Sequence, residues 1–146
     1  MNKQFTLLPL CLMMALLLGN CQRDPEPTGK LLNTRWTLKQ IDAFPLVASS
    51  FYEDNQSYIQ FATSGQQLTG LAACDAISGQ FTLSSGTSQL TISQLALTKG
   101  SCTSPVVGPQ YLAILPQTSR YEISGDMLRL YDAQSTQPRL IFQAAP

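Results

Sequence analysis

The sequence predicts a mostly β chain, a compact antiparallel meander of barrel or sandwich type with one short helix. Three observations lead there. Apolar alternation is interrupted by turn residues roughly every 8 to 12 positions, the spacing of small barrels and sandwiches. In three segments, a candidate two-residue turn sets apolar side chains opposite one another across the two arms. Only one stretch carries apolar residues at helical spacing, and a proline cuts it short. Composition agrees: charged residues make up only 12% of the chain while Ser, Thr and Gln are abundant. That polarity suits solvent-facing strand positions and turns rather than long exposed helices.

The first element is a leader. Phe5 to Gly19 is apolar apart from Thr6 and Pro9 and follows Lys3. At 15 residues it is too short to span a hydrocarbon core of about 30 Å, and it fits the apolar region of a secretory signal. Small residues at both −3 and −1 are missing around Gly19, where Leu17 would occupy −3. Instead the run ends Leu18-Gly19-Asn20-Cys21, which resembles the lipobox of bacterial lipoproteins, with Asn20 where a smaller residue is usual. The resemblance implies a leader over residues 1–20, acylation of Cys21, and membrane attachment through an N-terminal lipid. Two or more acyl chains anchor stably where one is marginal. Gln22, not an acidic residue, follows Cys21, which favours the outer membrane over the inner. Residues 21–30 form a tether, since Gln22 to Gly29 hold two prolines, three charges and no apolar side chain. The folded part is then 31–146, enough for one domain.

Within it, Arg35 to Ile41 reads as a strand. Phe44 to Tyr52 is an apolar loop without strand alternation, a candidate interaction surface or else a flap over one end of the barrel. In YIQFATSGQQLTG a turn at Ser64-Gly65 pairs Phe61 with Leu68 and leaves Ile59 opposite Gly70, where something bulky has room to approach. In GQFTLSSGTSQLTIS a turn at Gly86-Thr87 sets Leu83 against Leu90 and Phe81 against Ile92. Pro109 opens the helix, Tyr111, Leu112, Ile114 and Leu115 form its stripe, and Pro116 ends it, so it must be docked to be stable. In RYEISGDMLRLY, Gly125-Asp126 pairs Ile123 with Leu128 and Tyr121 with Leu130. Arg139 to Ala144 is the last strand, with Leu140 and Phe142 on one face.

Cysteine usage bears on compartment and stability. Cys11 leaves with the leader and Cys21 carries lipid, so Cys74 and Cys102 remain. In an oxidising envelope such a pair is read as a disulfide. The alternative, a metal or redox pair, meets a chain with no histidine and no CxxC spacing.

Across Leu31 to Phe142 the placed motifs resemble the META/HslJ family of small bacterial envelope domains. The residues that carry the likeness are Leu32-Asn33-Thr34-Arg35-Trp36 with Leu38; Ile59, Phe61 and Gly70; Ala73-Cys74-Asp75; and Ser78-Gly79-Gln80-Phe81. Further on they are Leu95-Ala96-Leu97-Thr98, Cys102, Tyr111 to Leu115, Tyr121, Ile123, Leu128, Leu130 and Leu140-Ile141-Phe142. Where the family usually has Gly-Cys-Asn, this chain has Ala73-Cys74-Asp75. The resemblance implies a compact, mostly antiparallel β domain with one short helix, a link in some members to heat or antibiotic stress, and no established catalytic residues.

The residues themselves agree that chemistry is sparse. Without histidine, a general base near neutrality must be a carboxylate or lysine. Asp75 beside Cys74 is the most interesting acid, although the reading preferred for it is a turn carboxylate accepting backbone N–H bonds. Glu53-Asp54-Asn55 lacks the glycine and final glutamate of a calcium loop, and Lys99-Gly100-Ser101-Cys102 reads as a loop feeding the bridge rather than a lysine–serine pair. Trp36 reads as core. After loss of Lys3, eight cations face nine anions, giving no footprint for nucleic acid. The expectation is therefore no catalytic residue, no metal and no cofactor. Taken with what the family resemblance implies, the expected protein is a monomeric, non-enzymatic envelope lipoprotein that binds or scaffolds an unknown envelope protein or ligand under stress. Its candidate surface is Phe44, Phe51, Tyr52 and Asp75. The alternatives are a carrier of a small apolar ligand, which needs an open barrel centre, and an inhibitor of a hydrolase.

Overall fold

The computed structural model describes residues 30–46, 57–100 and 107–146. Among the described residues nine strands form one antiparallel sheet: β1 (Arg35–Ile41), β2 (Phe44–Pro45), β3 (Tyr58–Phe61), β4 (Gln67–Ala72), β5 (Asp75–Leu83), β6 (Leu90–Thr98), β7 (Arg120–Ser124), β8 (Met127–Tyr131) and β9 (Leu140–Ala144). Helix α1 (Val107–Ile114) runs into a 3-10 turn, Leu115–Gln117, between β6 and β7. The order across the sheet is β6-β5-β4-β3-β1-β9-β8-β7, with β2 beside β1. Two meanders thus flank β1, which the chain lays down first. The sheet curls until its two edges meet at one place: Leu90 N–H donates to the Ser119 carbonyl at 3.1 Å and Tyr121 N–H to that of Ser88 at 2.9 Å. The result is a curled half-barrel with one short helix.

All three hairpin registers match the sequence reading. Phe61 opposes Leu68 and Ile59 opposes Gly70; Leu83 opposes Leu90 and Phe81 opposes Ile92; Ile123 opposes Leu128 and Tyr121 opposes Leu130. The glycine opposite Ile59 is required by close approach, because a Cβ there would lie 2.3 Å from the Tyr58 carbonyl oxygen and 3.1 Å from Ile77.

Two irregularities explain where simple alternation fails. In β1 the core residues Trp36, Leu38 and Ile41 are out of period, and a bulge at Lys39 shifts the pairing with β9 so that Ile41 still faces inward. In β6, Gln94 takes φ +52° and the pairing with β5 skips at Gly79, over which the Leu95 side chain folds.

The concave face holds the core. Trp36, Phe61, Phe142 and Tyr111 are at most 1% exposed, and the Trp36 indole N–H donates to the Leu31 carbonyl at 3.1 Å. Phe61 meets Phe81 edge-on at 5.1 Å, and Tyr111 of α1 meets Phe142 at 6.0 Å. The helix begins at Val107, two residues before Pro109. Proline is tolerated there because first-turn N–H groups have no intrahelical acceptor.

Two differences from the sequence reading concern strands. Phe44–Pro45, expected as loop, is a two-residue strand paired with Gln40 and Ile41. The last strand begins at Leu140, one residue later than expected.

Candidate functional site

The candidate residues that are described, Phe44, Cys74 and Asp75, lie at the end of the sheet where β1, β4 and β6 finish and β3, β5 and β9 begin. There β4 turns into β5 through Ala73 and Cys74, with Ala72 paired to Asp75. Ala73 takes φ +57°, a left-handed conformation that costs an L-residue roughly 1–2 kcal/mol. Its N–H is satisfied by the Oγ of buried Ser57 at 2.8 Å.

Asp75 opens β5 and reaches across to the end of β6. One carboxylate oxygen accepts the Gly100 N–H at 3.0 Å and the other pairs with Lys99 Nζ at 3.3 Å. The Gly100 N–H does most to hold the carboxyl below its ordinary 3.8; burial opposes this and Lys99 adds to it. An ionised carboxylate with both oxygens engaged is an acceptor, not a proton donor. Asp75 is therefore a latch on the chain after β6, in line with the turn-carboxylate reading, except that the amide it binds belongs to a neighbouring strand's exit rather than to its own turn. Gly100 packs so tightly here that a Cβ on it would lie 2.0 Å from the Cys74 carbonyl oxygen.

Phe44 lies on β2, 74% exposed, just past the β1–β2 turn. Asp42 forms that turn at φ +48°. Its N–H donates to the Arg139 carbonyl at 2.7 Å, and its carboxylate takes the Arg139 Nε. Arg139 Nη1 also binds Asp132 at 2.6 Å. Leu46 N–H returns to the Lys39 carbonyl at 2.7 Å. The exposed ring thus stands on a turn fixed from several sides. Phe51 and Tyr52, and likewise Cys21 and Cys102, lie outside the described residues.

Sequence reasoning missed the Asp42–Arg139–Asp132 clamp. Asp132 had a local signal, an acid before Gln134 and Ser135, whose backbone N–H groups it accepts at 2.9 and 2.6 Å. The Ser135 hydroxyl first, then the Arg139 guanidinium and these two backbone N–H groups, hold its carboxyl far below the ordinary 3.8. Arg139 and Asp42, 97 positions apart, had none. Tyr131 was also missed: it is buried beneath the Arg120 guanidinium, 3.7 Å from its ring centre, with its hydroxyl donating to Glu122 at 2.9 Å.

An open barrel centre, as the carrier alternative needs, would be bounded by Trp36, Phe61, Phe81, Ile123 and Phe142. Four are at most 3% exposed and pack with one another and Tyr111, while Ile123 packs against them half-buried. Among the described residues, no three of His, Cys, Asp and Glu come together as a metal site.

The META domain family matches residues 29–145 of this sequence. The chain belongs to the META domain family. Solved structures agree on the fold of this META domain. A protein from Burkholderia xenovorans, known by NMR, superposes with a TM-score of 0.61 at 22% identity, over 84% of this chain and 92% of its own. Another NMR structure gives 0.59 at 21%, over 79% and 92%. A DUF4847 family protein from Bacteroides vulgatus gives 0.52 at 12%, over 79% and 93%. No curated protein matches the chain.

Proposed function

We propose that this META-domain protein is a non-enzymatic lipoprotein of the bacterial envelope, anchored through acylated Cys21 in the outer membrane rather than the inner. Its domain, a monomer, binds or scaffolds an envelope partner in a stress response. The observation that carries the binding reading is Phe44, a large apolar ring left 74% exposed on a hairpin that Arg139, Asp132 and backbone bonds hold rigid. A preordered aromatic loses little entropy on docking, which is why such residues act as binding anchors. The absence of histidine from the sequence and the double engagement of Asp75 favour a non-enzymatic role. The carrier alternative draws no support from a concave face filled by aromatic side chains.

The same reading includes a Cys74–Cys102 bridge. It is supported by the disulfide state of Cys74 and by the latch that brings Gly100, two residues before Cys102, onto the Cys74 backbone.

Two experiments test the proposal. Cys21→Ser should release a membrane-bound protein into the soluble fraction or leave it unprocessed; a wild type that is soluble and unlipidated by mass spectrometry ends the anchoring claim. A photo-crosslinking residue at the exposed position 43, beside the ring, should trap a specific envelope protein in cells. Phe44→Asp should abolish that interaction while changing stability by no more than about 0.5 kcal/mol, as for most surface substitutions. Unaltered capture by Phe44→Asp ends the surface claim.

A further inference from the structure

We propose that the convex face of the sheet over β9 is a binding site for a short zwitterionic peptide with small apolar side chains. A groove of about 540 Å³ lies there, walled by Thr37 and Lys39 of β1 on one side and Asp126 of the β7–β8 turn on the other, with Gln143 of β9 as its floor and Ala144 to Pro146 along it. That volume falls within the usual range for small-ligand sites.

The groups that converge on it are unequal in a useful way. Lys39 is the bulged residue of β1, and a bulge re-aims its side chain. The residue is half-buried, and its ammonium has no hydrogen bond or ion pair among the described residues. Asp126 accepts a 2.7 Å bond from Gln143 Nε2 on one oxygen. That bond fixes the Gln143 amide with its carbonyl oxygen free to accept, and leaves the second Asp126 oxygen free as well. The groove therefore offers a cation on one wall, an anion on the other and an amide acceptor between them.

Geometry sets the ligand's length. β1 and β8 flank β9, so the two walls stand two strand spacings apart, about 10 Å. An amino acid is too short to reach both. An extended chain advances about 3.3–3.6 Å per residue, so two to three residues put an amine at Asp126 and a carboxylate at Lys39. The middle peptide N–H then meets Gln143 Oε1. Ala144, Ala145 and Pro146 leave room for methyl-sized side chains along the groove. This site is separate from the Phe44 hairpin and stands or falls independently of it.

Trialanine is the probe, titrated into the purified full-length protein and followed by saturation-transfer NMR. Millimolar affinity is expected for so open a site. N-acetylation and C-amidation should each weaken binding about tenfold, the worth of one charge-assisted contact. Lys39→Met should erase the preference for the free carboxylate while keeping that for the free amine, and Asp126→Asn should do the reverse. Absence of saturation at tens of millimolar overturns the proposal. So does equal binding of trialanine and its doubly blocked form to the wild type, a comparison that needs no variant to fold. Unchanged end-group preferences in both variants overturn it too.

Discussion

Ala73 holds a positive φ where a glycine would be free of strain, and the family pattern with glycine at this place has that physical reason. Ala73→Gly should raise stability by roughly 0.5–1 kcal/mol, less than the full strain because glycine also gains freedom in the unfolded chain. Urea denaturation measures it, and a loss of stability would show that the left-handed backbone is not strained. The carboxylates make a second prediction. Asp75 and Asp132 both titrate below 3.8 in the folded state, by their hydrogen bonds above all. A depressed folded-state value means the stabilisation is fully present above the unfolded value, from about pH 5 upward. It is lost as pH falls through the folded-state values, that of Asp132 last. Asp132→Asn should therefore destabilise the protein at pH 7 and flatten the acid limb of its stability curve. Equal acid sensitivity of variant and wild type would refute the assignment.

At the scale of elements, the hairpins were legible because strand period and turn chemistry must agree for both arms to bury the same face. A shift of one residue in any of them would turn Phe61, Phe81 or Tyr121 to solvent. Gly70 was legible for the same reason, as a gap opposite Ile59. Gly70→Ala should cost at least about 2–3 kcal/mol, since the new methyl meets a backbone carbonyl that cannot move without unpairing β3 from β4. A melting temperature unchanged from wild type would contradict that. The bulges at Lys39 and Gln94 were not legible. The break of period between Leu38 and Ile41 is visible in β1, but where each strand bulges depends on a register set by its partner, β9 or β5.

For the whole molecule, closure rests on contacts between distant segments. Arg139 ties the β1–β2 hairpin to the loop after β8, and its replacement by Met should lower the melting temperature and loosen Phe44, seen as faster hydrogen exchange at Asp42 and Leu46. Protection equal to wild type at both amides would show that the backbone bonds suffice. Cys74→Ser or Cys102→Ser should cost roughly 2–5 kcal/mol, a large share of the stability of a domain this size. Two reactive thiols in the natively purified protein would exclude the bridge.

What the sequence determined by itself was local and periodic: the β class, three hairpin registers, the short proline-bounded helix and the core positions. These follow from interactions within a few residues or across one turn, where burial of alternate side chains outweighs every other choice. Tertiary structure decided what depends on residues far apart in the chain. It inserted β1 between β3 and β9, stopped the sheet as a half-barrel joined at Ser88–Leu90 and Ser119–Tyr121, and turned Asp75 from a turn residue into a latch on Gly100. It also left Phe44 in solvent, a ring that the sequence offered either as an interaction surface or as part of a flap over the barrel end. Sequence pattern cannot separate those two outcomes, because exposure is set by whether another element arrives to cover the ring, and that is a property of the assembled sheet.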